Sequence, residues 1–342
     1  MDKYVTTDQL DRLYQEGVEK NFQKKTVNIA LDELNDWIAG NGVSSDHNLY
    51  DITYGDGKFV AVAGYGGSYY SADGINWTAG SDPDDYLKAV AYGDGKFVAV
   101  NEYGTPYCST DGINWTKGDE MGGSTYDVAY GMGKFVAVGD SGNVCYSTDG
   151  VNWSNGSCAT STVNLTNYDL RSVAYSDDWN RFVAVAGGES NYKGIFYSSD
   201  GINWTKASST IEYYMNAVAF GNPAGGSPQY LAVGEDGHTY YGNGQSWTEG
   251  SSGCSYDLYG IAYGNGKFVA VGGSGETYYT TNITDWSYIN GAGSASFNAV
   301  AYGDGKFVAV GDDGAVYCSI DGKTETHNLE EVINRLYSAV LA

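Results

Sequence analysis

The sequence contains few arginines, histidines, prolines and cysteines. Its 342 residues include four Arg, three His, four Pro and five Cys. So few prolines exclude a Pro-rich linker and a collagen-like chain. The cysteines are scattered without a C-x-x-C pair, which favours free thiols, and the histidines lack the arrangement of a triad or a three-His site. We therefore expect no cofactor and no metal.

Positive charge and long apolar runs are also scarce. There are 18 Lys and Arg against 42 Asp and Glu, which gives a net charge of −24. Phosphate backbones and anionic lipid repel such a chain, so we expect no nucleic-acid partner and no membrane insertion. No stretch approaches the roughly 20 apolar residues of a membrane helix. The first residues, MDKYVTTDQL, lack the apolar core of a secretory signal, so we expect no signal peptide.

Glycine and tyrosine are abundant, at 49 and 32 residues, and they belong to an internal repeat. The twelve residues AVAYGDGKFVAV occur at 89–100 and again at 299–310. The run FVAV, or its variant YLAV, occurs seven times at intervals of 38 to 48 residues. Its copies begin at Phe59, Phe97, Phe135, Phe182, Tyr230, Phe268 and Phe307.

Each period of the repeat has the pattern of four short strands. A second apolar run such as DITY or AVAY precedes FVAV, and between them stand Asp-Gly and Asn-Gly pairs that favour tight hairpins. A Tyr-rich strand and a Trp-containing segment follow. Four strands in a period near 40 residues are typical of a β-propeller blade. The sequence therefore predicts an all-β fold, a seven-bladed propeller of four-stranded antiparallel blades spanning residues 49–323.

The repeats carry the motif S-x-D-G-x-x-W, seen as SADGINW at Ser71 and STDGINW at Ser109. It resembles the Asp-box of BNR-like, sialidase-type propellers, which occur in sialidases, some lectins, photosystem assembly factors and phage or bacterial surface proteins. The resemblance implies a structural role, in which the Asp accepts hydrogen bonds from the turn and the Trp packs between blades. The positions are Asp73, Trp77, Asp111, Trp115, Asp149, Trp153, Asp200 and Trp204. The seventh copy lacks its Trp, which predicts an irregular closure involving residues before Asp51.

Arginine content bears on catalysis. The resemblance implies sialidase activity as one possibility, and that activity requires an arginine cluster. Arg12 and Arg335 lie in the terminal segments, so only Arg171 and Arg181 remain for the propeller. Sialidase is therefore disfavoured. Other glycosidases need only a pair of carboxylates, so a glycan-cleaving enzyme remains an alternative. The expectation is that the chain is not an enzyme.

One position varies within an otherwise constant strand, two residues before the central Val or Ile of the first apolar run. Its seven residues are Tyr50, Lys88, Tyr126, Arg171, Asn216, Tyr259 and Asn298. Tyr65 and Tyr103 stand in the middle turns. Tyr combines apolar area with a hydrogen-bonding group, which suits sugar stacking or a protein contact. The alternative is that Tyr merely fills a β-surface, where its propensity is high. We predict a ligand-binding site at these nine residues.

The two ends of the chain have helical patterns. Thr6 and Gln9 form a capping box before apolar residues at helical spacing. A second helix is expected from about Asn28 through Trp37 and Ile38. We therefore assign residues 1–48 to a helical docking or oligomerisation segment and 324–342 to a C-terminal helix.

These patterns together favour a structural and binding protein. Helical ends, a repeat propeller and an acidic surface resemble a virion or phage-tail-like appendage that recognises a surface glycan or protein. The terminal helices would contact other particle subunits or form a homo-oligomer. The alternative is a cytoplasmic scaffold or assembly factor.

Overall fold

The computed structural model describes residues 37–64, 67–81, 85–158, 164–187, 192–223, 226–289 and 292–319. Within these ranges the regular elements are β-strands and short 3-10 turns. No helix among these residues is long and apolar enough to cross a membrane. The helices expected within 1–36 and 320–342 lie outside the described residues and stay predictions, as does the role assigned to them.

The strands form seven sheets that follow one another around a ring, and each sheet is one blade. Every inner strand contacts the inner strands of both neighbouring blades, the first and last blades included. The predicted all-β, seven-bladed propeller with four-stranded antiparallel blades is therefore confirmed. The inner strands of blades one to seven are β2 (Leu49–Gly55), β6 (Leu87–Gly93), β10 (Asp127–Gly131), β15 (Leu170–Ser176), β19 (Met215–Gly221), β23 (Leu258–Gly264) and β27 (Phe297–Gly303).

The second strands carry the FVAV runs and form the core. They are β3 (Lys58–Ala63), β7 (Lys96–Asn101), β11 (Lys134–Val138), β16 (Arg181–Ala186), β20 (Gln229–Gly234), β24 (Lys267–Gly272) and β28 (Lys306–Gly311). The first aromatic ring of every run is fully buried. Burial of one such ring stabilises the fold by roughly 1.5–3 kcal/mol. The most constant residues of the repeat are therefore those that pack the core.

The third strands are β4 (Ser68–Ser71), β8 (Pro106–Ser109), β12 (Val144–Ser147), β17 (Gly194–Ser198), β21 (His238–Gly242), β25 (Thr277–Thr280) and β29 (Val316–Ser319). The outer strands of blades one to six are β5 (Thr78–Ala79), β9 (Thr116–Lys117), β13 (Ser154–Asn155), β18 (Asn203–Lys206), β22 (Trp247–Ser251) and β26 (Trp286–Tyr288). One further strand, β14 (Ser157–Cys158), runs parallel to β18 and ties blade three to blade four. The 3-10 turns are 140–142, 165–167, 235–237, 273–275 and 312–314.

The hairpins between inner and second strands in blades one, two, three, six and seven have two central residues with positive φ. In the GDGK turn of blade one, Asp56 has φ 47° and Gly57 has φ 72°. Two central residues with positive φ define a type I′ turn, which Asp-Gly and Asn-Gly favour because both tolerate that conformation. At Gly55, an added Cβ would lie 2.1 Å from the ring of Tyr92 in blade two. Glycine is required there because the next blade packs against the backbone.

Blade seven is completed by a strand from the beginning of the described chain. β1 (Trp37–Ala39) pairs antiparallel with β29 as the outer strand. The helix expected from Asn28 through Trp37 and Ile38 is therefore wrong at its end, since both residues lie in a strand. Irregular closure involving residues before Asp51 is what the structure has.

The segment after β1 continues as in the other blades. Asn41 N donates to Ile75 O at 2.8 Å, as Ser81 N donates to Ile113 O at 2.7 Å between blades one and two. Aligning Asn41 with Ser81 places Trp37 on Trp77 and WIAGN (37–41) on WTAGS (77–81). Blade seven therefore has its Trp, but at the other end of the chain.

Candidate binding site

The carboxylates of the Asp-box segments accept their hydrogen bonds from their own turns. Asp73 Oδ1 accepts the backbone N–H groups of Ile75 at 2.9 Å and Asn76 at 2.8 Å, and Asp73 Oδ2 accepts the Asn76 side-chain amide at 2.7 Å. The same three bonds recur at the boxes of blades two to four, whose acids are Asp111, Asp149 and Asp200. Each carboxylate thus holds its Asx-type turn closed.

These hydrogen bonds keep the box carboxylates charged. Partial burial would raise the pKa of Asp73, but hydrogen bonds from Asn76, Ile75 and Ser71 outweigh it and lower that pKa to about 2. Hydrogen bonds from Asn114 likewise lower the pKa of Asp111. Across the described ranges, no group of three or more His, Cys, Asp or Glu side chains could hold a metal ion.

The box tryptophans pack against the preceding blade. Trp77 of blade one lies in a cluster with Val308 and Val316 of blade seven. Trp204 of blade four is fully buried and packs with Val136 and Val144 of blade three. The boxes therefore join neighbouring blades as well as turning the chain.

Hairpin lysines join the blades on this same side of the ring. Lys58 Nζ of blade one donates to Asp111 O at 3.1 Å, and Lys134 Nζ of blade three donates to Asp200 O at 2.8 Å. Lys306 Nζ of blade seven donates to Asp73 O at 3.3 Å. We call this side the box face, formed by the box segments and the hairpins between inner and second strands. The box carboxylates and hairpin lysines on this face make hydrogen bonds within and between blades.

The opposite side, the mouth face, carries the starts of the inner strands and the loops between second and third strands. Here the seven inner strands converge on one axial cavity of about 250 Å³. All seven residues of the variable position line it, and we call them the mouth residues. They are Tyr50, Lys88, Tyr126, Arg171, Asn216, Tyr259 and Asn298.

A shift in strand register accompanies the mouth position. In blade one the pairing passes from Leu49 to Asp51 and leaves Tyr50 without a partner in the ladder, and in blade six it passes from Leu258 to Gly260. Such bulges redirect a side chain and occur next to functional sites. The same shift occurs in blades two, four, five and seven, so in six of the seven blades a bulge accompanies the residue that reaches the axis.

Two mouth cations lie on the rings of two mouth tyrosines. Lys88 Nζ lies 4.2 Å from the centre of the Tyr50 ring, and the Arg171 guanidinium lies 4.4 Å from the centre of the Tyr126 ring. Cation–π contacts of this kind are worth roughly 0.5–2 kcal/mol. They order the long side chains at the cavity entrance. The Tyr50 hydroxyl also contacts that of Tyr86.

The two mouth asparagines bridge neighbouring blades. Asn216 Nδ2 donates to Leu258 O at 3.1 Å, and Asn298 Nδ2 donates to Leu49 O at 2.9 Å. Tyr259, between them, has 40% of its surface exposed. One side of the mouth is therefore fixed by amide bridges, and the other is lined by aromatic and cationic groups.

The residue that follows the mouth residue in each inner strand is small in five blades and is an aspartate in blades one and three. Asp51 accepts the backbone N–H of Val90 at 2.8 Å, and Asp127 accepts that of Val173 at 2.8 Å, each from the following blade. Burial raises the pKa of Asp127 to about 6, against hydrogen bonds from Val173 and other groups. Burial, and then the charge of Asp127, raises the pKa of Asp51.

A third tier of the cavity lining consists of branched aliphatic side chains, each at most 9% exposed. They are Ile52, Val90, Val128, Val173, Val218, Ile261 and Val300. The tier of the cavity lining furthest from the mouth residues is therefore apolar.

Seven of the nine predicted binding residues line this cavity. Tyr103 lies in the turn between β7 and β8 on the mouth face, 69% exposed and away from the lining. Tyr65 lies outside the described residues. The binding role of all nine remains a prediction.

No family model matches the chain, and no curated protein matches it by sequence. The Asp-box resemblance therefore remains an interpretation of the motif. Solved structures do match. YCF48 bound to a D1 peptide has a TM-score of 0.65 at 17% identity, covering 86% of this chain and 98% of that one. The WD40 propeller domain of Doa1 has a TM-score of 0.64 at 13% identity, covering 83% and 97%. These likenesses show the fold alone.

A third similar structure corrects the expectation about catalysis. A catalytically inactive variant of virginiamycin B lyase from Staphylococcus aureus, solved with quinupristin, has a TM-score of 0.69 at 10% identity, covering 83% of this chain and 98% of that one. The expectation that the chain is not an enzyme, which rested on its few arginines and histidines, is overturned, because an enzyme has the same fold. At this identity the likeness assigns no activity to the present chain.

Proposed function

We propose that this propeller is a binding protein that holds its ligand at the mouth of the axial cavity. One observation carries the proposal. The position that changes between aromatic, cationic and amide residues within a nearly constant strand is also the position that meets its six counterparts around one cavity. Packing alone would favour the same residue seven times, as it does at the buried FVAV runs.

A protein surface is the ligand that we favour. Beyond the cavity, the mouth face carries exposed tyrosines in three blades, Tyr103, Tyr192 and Tyr256. Tyrosine is enriched in protein interfaces because it gives apolar area and a hydrogen bond together. Tyrosines spread over a face this broad suit a protein better than a single small molecule. YCF48, which has the same fold, is a protein solved with a bound peptide.

A surface glycan is the second candidate, and Tyr259 supports it. Its ring borders the cavity while 40% of its surface is exposed, and sugars stack on exposed aromatic rings. A role in a virion or tail-like particle, or as a cytoplasmic scaffold, depends on the terminal segments outside the described residues and stays a prediction.

The test is photo-crosslinking from two tyrosines of blade six. A photoreactive phenylalanine derivative is placed in the full chain at Tyr259 on the mouth, or at Tyr288 in the outer strand β26. The two side chains are 40% and 47% exposed, so they differ in place rather than accessibility. We expect a discrete adduct from position 259 and none from position 288. Adducts from 288 alone would place the binding surface on the outer edge.

A further inference from the structure

We propose that the cavity mouth receives a single carboxylate, the side chain of an Asp or Glu on the protein partner, between Lys88 and Arg171. The inference rests on the proposed function and specifies what enters the site. Both cations lie in the half of the mouth formed by blades two to four, and Tyr126 stands between them in blade order.

Lys88 is a half-buried cation that makes no salt bridge with any carboxylate in the described ranges. Within the described part of the chain, its ammonium group contacts only the ring of Tyr50. Burial lowers the pKa of Lys88, the charge of Glu102 opposes this, and the charge of Arg171 adds to it. Desolvating an ammonium group without a hydrogen-bonded anion is costly. An incoming carboxylate would remove that cost.

The guanidinium of Arg171 has N–H donors that no described residue accepts. Its Nε donates to Gly187 O at 3.4 Å, and Nη2 lies 3.8 Å from the Asp169 carboxylate, which is longer than a hydrogen bond. Nη1 has no protein acceptor among the described residues. A guanidinium stacked on the Tyr126 ring with a free edge is suited to binding a carboxylate.

The acids nearest the axis do not neutralise this pair. No mouth residue is acidic. Asp51 and Asp127, one position further along their strands, direct their oxygens at the backbone N–H groups of Val90 and Val173. Glu102 acts on Lys88 by its charge and Asp169 lies 3.8 Å from Arg171, but neither cation donates a hydrogen bond to a carboxylate among the described residues.

Charge and shape favour one carboxylate on a protein. A net charge of −24 repels polyanions, whereas one anionic group can be drawn to a local cationic pair. A cavity of about 250 Å³ with an apolar inner tier accommodates one side chain. An anchor side chain in a central pocket, with tyrosines around it, is a usual arrangement of a protein interface.

The experiment measures binding of small carboxylates to the full chain by ligand-observed NMR at low salt. The probes are N-acetyl-glutamate methylamide, its glutamine counterpart, glucuronate and glucose. We expect the glutamate probe to bind with a Kd on the order of millimolar, and the glutamine probe at least about tenfold more weakly, since only charged acceptors make the stronger bonds. Lys88→Met and Arg171→Met should each weaken the glutamate probe at least about tenfold.

Lys117→Met is the matched control. It removes the same charge from the outer strand of the same blade, where Lys117 is exposed, and it should leave binding unchanged. Thermal melts verify that each variant is folded. Equal binding of the glutamate and glutamine probes, no binding of either, or insensitivity to both substitutions overturns the proposal. Glucuronate binding without glutamate binding overturns the protein anchor in favour of an acidic sugar. If a partner crosslinks at position 259 and Lys88→Met does not weaken its binding, this inference fails. The proposed function is then still supported by the crosslink.

Discussion

Trp37 donates its indole N–H to the hydroxyl of Thr277, with 3.2 Å between Nε1 and Oγ1 and 240 positions between the two residues. Trp115 and Ser68 make the equivalent bond between blades two and one, at 2.8 Å. Thr277 and Ser68 are both the first residues of third strands. Trp37 thus makes for blade seven the bond to the preceding blade that Trp115 makes for blade two, and the ring is closed by a strand that precedes blade one in the sequence.

Replacing Trp37 should therefore weaken the whole ring. Trp37 is 5% exposed, and Trp→Ala at a buried site costs about 3–5 kcal/mol. We expect a loss of this size in the free energy of unfolding of Trp37→Ala, measured with urea. Ile38→Ala, next to it in the same strand but 37% exposed, should cost less than about 1 kcal/mol. Similar losses in both variants would mean that β1 is not a closing strand.

Blade number and strand order could be predicted because both follow from local signals. Asp-Gly and Asn-Gly pairs predict the hairpins, and the FVAV runs predict the core strands. The closing strand depends instead on pairing across the whole chain. Leu31, Leu34 and Ile38 have helical spacing, which hid the match of WIAGN to WTAGS. That match was the available signal.

The candidate site was predictable only at its entrance. The mouth residues could be found because one position varies in a constant frame. Asp51 and Asp127 were missed, although DITY and DVAY depart from AVAY in the sequence. Their raised pKa values come from burial between blades, and burial is known only once the ring is assembled.

Removing a box carboxylate should destabilise the protein more than removing an exposed one. Asp111→Ala loses three hydrogen bonds from its turn, and we expect a loss of about 1–2 kcal/mol at pH 7. Asp119→Ala, exposed a few residues away, should change stability by less than about 0.5 kcal/mol.

The loss at Asp111 should also depend on pH. The pKa of Asp111 is lowered in the folded state, so its carboxylate stabilises the fold above the ordinary value of 3.8, and this stabilisation is lost as the pH falls below it. In urea titrations at pH 7 and pH 3, the stability difference between wild type and Asp111→Ala should be smaller at the lower pH. A difference that stays constant would contradict the charged-turn account.

Asp127 should give the opposite pH dependence. Its pKa is raised from 3.8 to about 6, so between these values the folded state holds a proton that the unfolded state releases. Stability should therefore fall as the pH rises from about 4 to 6, by on the order of 2 kcal/mol for this group. Asp127→Asn does not titrate, so its stability relative to wild type should rise over this window. A parallel pair of pH profiles would show that Asp127 is not held in a desolvated site.

The most direct test of the binding mouth compares Tyr259→Ala with Tyr288→Ala against the partner identified by crosslinking. Both tyrosines belong to blade six and are about equally exposed, but only Tyr259 lines the cavity. We expect Tyr259→Ala to weaken binding at least about tenfold, with a melting temperature close to that of wild type. Tyr288→Ala should bind like wild type. Equal affinities of the two variants, or unfolding of Tyr259→Ala, would contradict a ligand site at the axial mouth.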